Sequence, residues 1–275
     1  MNTPVPVVLV APESGYGHGG RLFAALLGRG RMIREVGFTA ADMSGRAATR
    51  TQLVEQIRAA VEDLARDSSL DARPALIGYS LGAAAAAEYA AEFPSTVSSL
   101  VLAAAWAQPT GKMVAAARLW RSLCVSDGGS EKFGDAALNA AQLVLVSARG
   151  WRAAAEVRDD RVEHVDVAAL MEGCLGVNPT DVNLAGVDFA GVDLADTAAR
   201  IVAPTLVIAG AFDEFAEPGQ SHLLFGAIDD ARLIEIDSGH AMLLERPAEL
   251  LDAVELFIAE PTRHPPGSRI ESPRP

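Results

Sequence analysis

Ala75-Leu76-Ile77-Gly78-Tyr79-Ser80-Leu81-Gly82-Ala83 is the stretch on which the fold turns. A short apolar run stops abruptly at Gly78, and the alanine-rich segment from Ala83 to Ala91 has high helix propensity up to Pro94. The reading is strand, sharp turn, helix. Gly78 to Gly82 spells G-x-S-x-G, in which a serine rides a tight strand-to-helix turn with its hydroxyl thrust out above a sheet. Small residues are needed beside such a turn, because a side chain there would collide with the neighbouring strand and helix. The helix N-terminus also directs a positive partial charge at the serine.

Working outward, Val5 to Val10 is nearly continuous Val and Leu, which fits a strand buried on both faces. It opens into Gly15-Tyr16-Gly17-His18-Gly19-Gly20, after which Leu22, Phe23, Leu26 and Leu27 recur at helical spacing. Leu53, Val54, Ile57, Val61 and Leu64 mark a second amphipathic helix. Further apolar runs at Leu100 to Ala105, Thr205 to Ala209 and Leu233 to Ile236 read as strands, and Leu250 to Ile258 as a closing helix. Strands alternating with helices imply an α/β fold with a mostly parallel sheet covered on both faces.

From Trp106 to about Arg200 the alternation lapses into alanine- and arginine-rich helical segments carrying Trp120, Leu138, Leu143 and Trp151. The expected organisation is therefore a core of residues 1–105 and 201–260, a helical cap of 106–200, and a tail of 261–275 whose five prolines predict disorder. Residues 183–195 follow a five-residue period, too few units for a stacked solenoid, and read as a turn-rich descent from cap to sheet.

Composition narrows the function. With 23 Lys plus Arg against 36 Asp plus Glu, the formal net charge of -13 has the wrong sign for tracking phosphates, so neither nucleic acid nor an anionic membrane is an expected partner. Cys124 and Cys174 are the only cysteines, and neither sits in a metal-ligand pattern. No secretory or spanning segment is legible at the N-terminus, and the expected location is the cytoplasm. No cofactor or metal is implied.

A serine hydroxyl is a weak nucleophile at neutral pH and needs a base, which in turn needs an orienting carboxylate. His164, His222 and His264 read as solvated or packed residues. His18 lies near the strand tops and is a rival, but His240 is the better base: it follows the strand Leu233 to Ile236 through Asp237-Ser238-Gly239, and a helix begins after it at Met242. The carboxylate is expected after the preceding strand, where Ala211-Phe212-Asp213-Glu214 stands. Asp213 is the assigned acid and Glu214 the runner-up. The chain order Ser80, Asp213, His240 then completes a triad.

On these residues the sequence resembles the α/β-hydrolase superfamily, specifically serine hydrolases with a helical cap such as esterases, enol-lactonases and C-C bond hydrolases. The likeness covers nearly all of the chain except the tail. Its supporting motifs are Ala41 to Gly45 in place of a D-x-x-G loop, Gly78 to Gly82, Ala203 to Gly210 with Asp213, and Ser238-Gly239-His240 with Glu245-Arg246-Pro247. The resemblance implies an oxyanion hole formed by the N–H of Leu81 and a second N–H from the loop after the first strand. Ala11-Pro12-Glu13 replaces the usual His-Gly-x there, and Pro12 has no N–H, so the second donor falls to Glu13.

The activity so implied is cofactor-independent cleavage of a small, partly apolar carboxylic ester, thioester or lactone through an acyl-enzyme on Ser80. The alternatives are non-hydrolytic work on the same fold (acyl transfer, lyase chemistry or cyclisation) or a ligand-binding receptor. Tyr79 and Trp106 are the expected aromatic walls of the substrate site, with Trp120 at least as easily a packed core residue. Oligomeric state is not legible.

Overall fold

Val7–Val10, with all four residues buried, forms β1 inside the sheet between β2 and β3, as its unbroken apolar run requires. The computed structural model describes residues 4–11, 23–37, 50–66, 73–116, 119, 143–148 and 194–273. In chain order the remaining elements are β2 (Ile33–Val36), α1 (Arg50–Arg66), β3 (Ala75–Tyr79), α2 (Leu81–Glu92), β4 (Ser99–Ala103), α3 (Ala195–Ala198), β5 (Thr205–Gly210), α4 (Pro218–Ala227), β6 (Ala231–Ile236), α5 (Met242–Glu245), α6 (Pro247–Ala259) and β7 (Arg269–Ile270). Residues 23–27 and 111–116 are also helical.

Seven strands pair in the order β2-β1-β3-β4-β5-β6-β7, each pairing parallel. Every strand therefore ends at the same edge of the sheet. Helices α1 to α4 touch one another in succession along one face. An ion pair between Arg31, just after helix 23–27, and Glu255 of α6 ties together two helical segments far apart in sequence. α2 is buried almost all round, from Leu81 to Ala87 without exception. Its alanines fit that place, because a helix apolar on all sides must lie in the interior and small side chains let it approach the sheet closely.

Two strands differ from the sequence expectation, and both are edges. β2, Ile-Arg-Glu-Val, buries only its last residue and so carries no continuous apolar run. The tail expected to be disordered instead turns back along β6: the Gly267 N–H donates to the Ala231 carbonyl at 2.8 Å, the Leu233 N–H to Ser268 at 3.0 Å, and β7 extends the sheet. Arg232, 2% exposed, donates from Nε to the His264 carbonyl at 2.7 Å and also holds Asp230. A proline-rich composition predicts a segment without its own core, but here the segment uses the core of β6 and α6. Of the stretch 106–200, residues 117–118, 120–142 and 149–193 lie outside the described residues, as does most of the five-residue repeat.

Candidate active site

The serine turn is built by close approach. Ser80 is fully buried and has φ 55° and ψ -120°, a strained conformation worth about 1–3 kcal/mol that the surroundings impose. The Ser80 N–H donates to the Ala103 carbonyl of β4 at 2.9 Å, which extends the ladder one residue past β3. A Cβ on Gly78 would sit 2.5 Å from the Ala83 Cα and from the Gly82 carbonyl oxygen, and one on Gly82 would overlap the Val10 carbonyl of β1. Both glycines of the motif are thus dictated by backbone on the far side. Leu81 opens α2, and its N–H is among the donors that a helix cannot satisfy internally.

The strand tops bring the three sequence-assigned residues together. Ser80 Oγ lies 2.9 Å from His240 Nε2, and His240 Nδ1 lies 2.8 Å from Asp213 Oδ2. A carboxylate only accepts, so Nδ1 carries the proton and Nε2 presents its lone pair to the serine hydroxyl. The other Asp213 oxygen accepts the N–H groups of Phe215 and Ala216, both at 2.8 Å. Asp213 is 3% exposed and His240 fully buried. The carboxylate thus has a full set of donors, as a charge in the interior requires.

Glu214, the runner-up acid, is excluded by its position: it is mostly exposed and pairs with Lys112 at 3.2 Å. His222 stands beside Glu235 at 3.0 Å, and His264 is an exposed tail residue. His18, His164, Trp120, Cys124, Cys174, the loop 41–45, Pro12 and Glu13 lie outside the described residues.

Tyr79 and Trp106, the expected aromatic walls, are both buried. Tyr79, 3% exposed, points beneath the histidine loop, where its hydroxyl donates to the His240 carbonyl and accepts the Met242 N–H at 2.9 Å. Trp106, 1% exposed, stands edge-on to Phe215 with ring centroids 6.2 Å apart, and Phe215 in turn stands edge-on to His240 at 4.9 Å. Tyr79 and Phe215 thus back the imidazole, and Trp106 backs Phe215.

Sequence reasoning missed three supports of the histidine. Phe215 packs on its ring. Glu245 and the segment 143–148 hold its backbone, the Leu145 carbonyl accepting the Ala241 N–H at 3.0 Å. The available signal was a lone carboxylate after the apolar run Ala241-Met242-Leu243-Leu244.

A buried Ser-His-Asp chain thus stands at the strand ends of a parallel sheet. The family model for the serine aminopeptidases, S33, matches residues 36–247. The chain belongs to this family. Its neighbours among solved structures share the α/β-hydrolase fold over nearly their whole lengths. An α/β hydrolase from a Medee basin deep-sea metagenome library aligns with TM-score 0.73 at 18% identity, covering 96% of this chain and 92% of that one. A thermophilic esterase from Thermogutta terrifontis gives 0.69 at 19%, with 95% and 92% covered. The enol-lactonase from Burkholderia xenovorans gives 0.66 at 20%, with 94% and 93%. Among curated proteins no sequence relative matches. Hydrolase is thus the general class, and among the described residues no helix is long and apolar enough to cross a membrane.

Proposed function

We propose that this hydrolase is a serine enzyme that cleaves a small, partly apolar carboxylic ester, thioester or lactone through an acyl-enzyme on Ser80. The observation that carries the reading is the unbroken chain from Ser80 Oγ through the imidazole to Asp213, with both contacts below 3 Å. His240 Nε2 takes the hydroxyl proton as Ser80 attacks the carbonyl carbon, and passes it to the departing alcohol, thiol or ring oxygen. Asp213 holds the tautomer and stabilises the imidazolium. Water then attacks the acyl carbon, gives its proton to the same nitrogen, and the acid departs as that proton returns to Ser80 Oγ. The Leu81 N–H at the head of α2 takes the developing oxyanion charge, and the second donor we assign is the N–H of Glu13.

A fluorophosphonate probe tests this directly. It should label wild type at Ser80, leave His240→Ala almost unlabelled and fail on Ser80→Ala, which should lose turnover of short p-nitrophenyl esters with its melting temperature intact. Unchanged ester turnover in a folded Ser80→Ala protein would end the serine mechanism. Assays in isotopically labelled water separate the alternative raised by Ala11-Pro12-Glu13. Solvent oxygen must enter the product of hydrolysis, whereas acyl transfer, lyase chemistry or cyclisation would leave it out.

A further inference from the structure

Three donors converge on one buried carboxylate beside the triad. Glu245 Oε1 accepts the Ser147 N–H at 2.9 Å and the Gly239 N–H at 3.2 Å, while Oε2 accepts the Ser147 hydroxyl. Glu245 is 9% exposed. A carboxylate taken out of water is costly unless its lone pairs are met, and here the donors that meet them come from two separate parts of the chain. Ser147 belongs to the long connection between β4 and β5, whereas Gly239 is the residue immediately before His240. The residue immediately after, Ala241, donates its N–H to Leu145 of the same connection at 3.0 Å. A Cβ on Gly239 would stand 2.7 Å from the Ser147 nitrogen and 2.8 Å from Glu245 Oε1, so the three groups meet with no room for a side chain.

We infer that Glu245 is a positioning residue: it fastens residues 143–148 to the backbone on either side of His240, so that the reach of the imidazole to Ser80 depends on where that connection lies. The inference rests on the serine-hydrolase reading and adds to it a route by which the connection bears on the catalytic base. If Glu245 served only to end α5, its carboxylate would need no bond to Ser147 or to Gly239. A neutral glutamine preserves one oxygen acceptor for the two N–H groups and leaves the Ser147 hydroxyl free to turn round and accept. Alanine strands all three donors.

The experiment compares wild type, Glu245→Ala, Glu245→Gln and Ser147→Ala by three measurements: the second-order rate of fluorophosphonate labelling at Ser80, kcat and KM on a short p-nitrophenyl ester, and melting temperature. We expect labelling and kcat in folded Glu245→Ala to fall on the order of tenfold or more with KM within about twofold, and Glu245→Gln to restore most of the loss. Ser147→Ala should fall between them. Folded Glu245→Ala that labels and turns over like wild type overturns the inference, as does a loss confined to KM. Where Glu245→Ala yields no folded protein, Glu245→Gln and Ser147→Ala decide: both labelling at the wild-type rate overturns the inference, and a loss of about threefold or more in Ser147→Ala upholds it. Wild type that is not labelled at Ser80 would instead defeat the serine-hydrolase reading itself, which no result among these three variants can do.

Discussion

The two loops that supply nucleophile and base are held by opposite means. Gly78 to Gly82 is fixed locally, by strand, helix and glycines pressed against the backbone of Val10 and Ala83 within a few residues of Ser80 or on the adjoining strand. Ser238 to Glu245 is fixed from afar. Its backbone groups are taken by Tyr79 and Leu145, its imidazole by Asp213 and Phe215, and its own Glu245 ties Gly239 to the distant Ser147. The first loop is an object of sterics and tolerates no added atom. The second is an object of hydrogen bonds, and each support can be removed in turn with the rest in place.

The contrast is broken most severely at the acid. Asp213→Asn should lower turnover roughly ten-thousandfold, by analogy with the serine-protease triad, because the amide can donate to Nδ1 and so select the wrong tautomer. Steady-state rates on a p-nitrophenyl ester measure it. Gly82→Ala tests the steric side: with the Val10 carbonyl of β1 in the way, unfolding in urea should show a loss of about 3 kcal/mol or more. A Gly82→Ala protein as stable as wild type would mean that the serine turn can give, and the contrast between the loops would fail.

That difference also explains what the sequence disclosed. The nucleophile turn was legible because close backbone approach, by Ala83 at Gly78 and by Val10 at Gly82, demands glycine, and glycine spacing records it in the sequence. Asp213 and His240 were legible because each follows a buried apolar strand, and β5 and β6 announce themselves by composition. The partners of Tyr79 and Trp106 were not legible, because a residue next to a turn does not say which way its ring points. The bonds from Glu245 to Ser147 span 98 positions, a distance across which no local pattern operates. The same logic accounts for the fold: the central strands were found from their apolar runs, while β2 and β7, half-covered at the edges, have no such run to find.

Tyr79→Phe sharpens the contrast at its weakest expected point among the loop supports. The ring is buried and its phenol bridges the His240 carbonyl and the Met242 N–H, so phenylalanine keeps the packing and removes two hydrogen bonds to the loop. Met242 N–H retains the His240 carbonyl as a second acceptor at 3.0 Å, which limits the damage. We expect stability to fall by about 1–3 kcal/mol and kcat by about tenfold with KM little changed.

The smallest effect belongs to the residue next to the acid. Glu214→Gln removes a carboxylate whose side chain is 69% exposed and which pairs with Lys112, itself 44% exposed. An exposed pair of this kind contributes roughly 0–1 kcal/mol, and the Glu214 carboxylate takes no part in the chain from Ser80 to Asp213. Turnover should therefore stay within about twofold of wild type and the urea midpoint should barely move. The value of so small an effect is its neighbour: one residue along the same loop, Asp213→Asn should abolish nearly all activity. Were Glu214→Gln to cost a hundredfold while Asp213→Asn left turnover near normal, the loop would present the other carboxylate to His240 in the working enzyme. The N–H groups of Phe215 and Ala216 would then be holding Asp213 away from the imidazole rather than toward it.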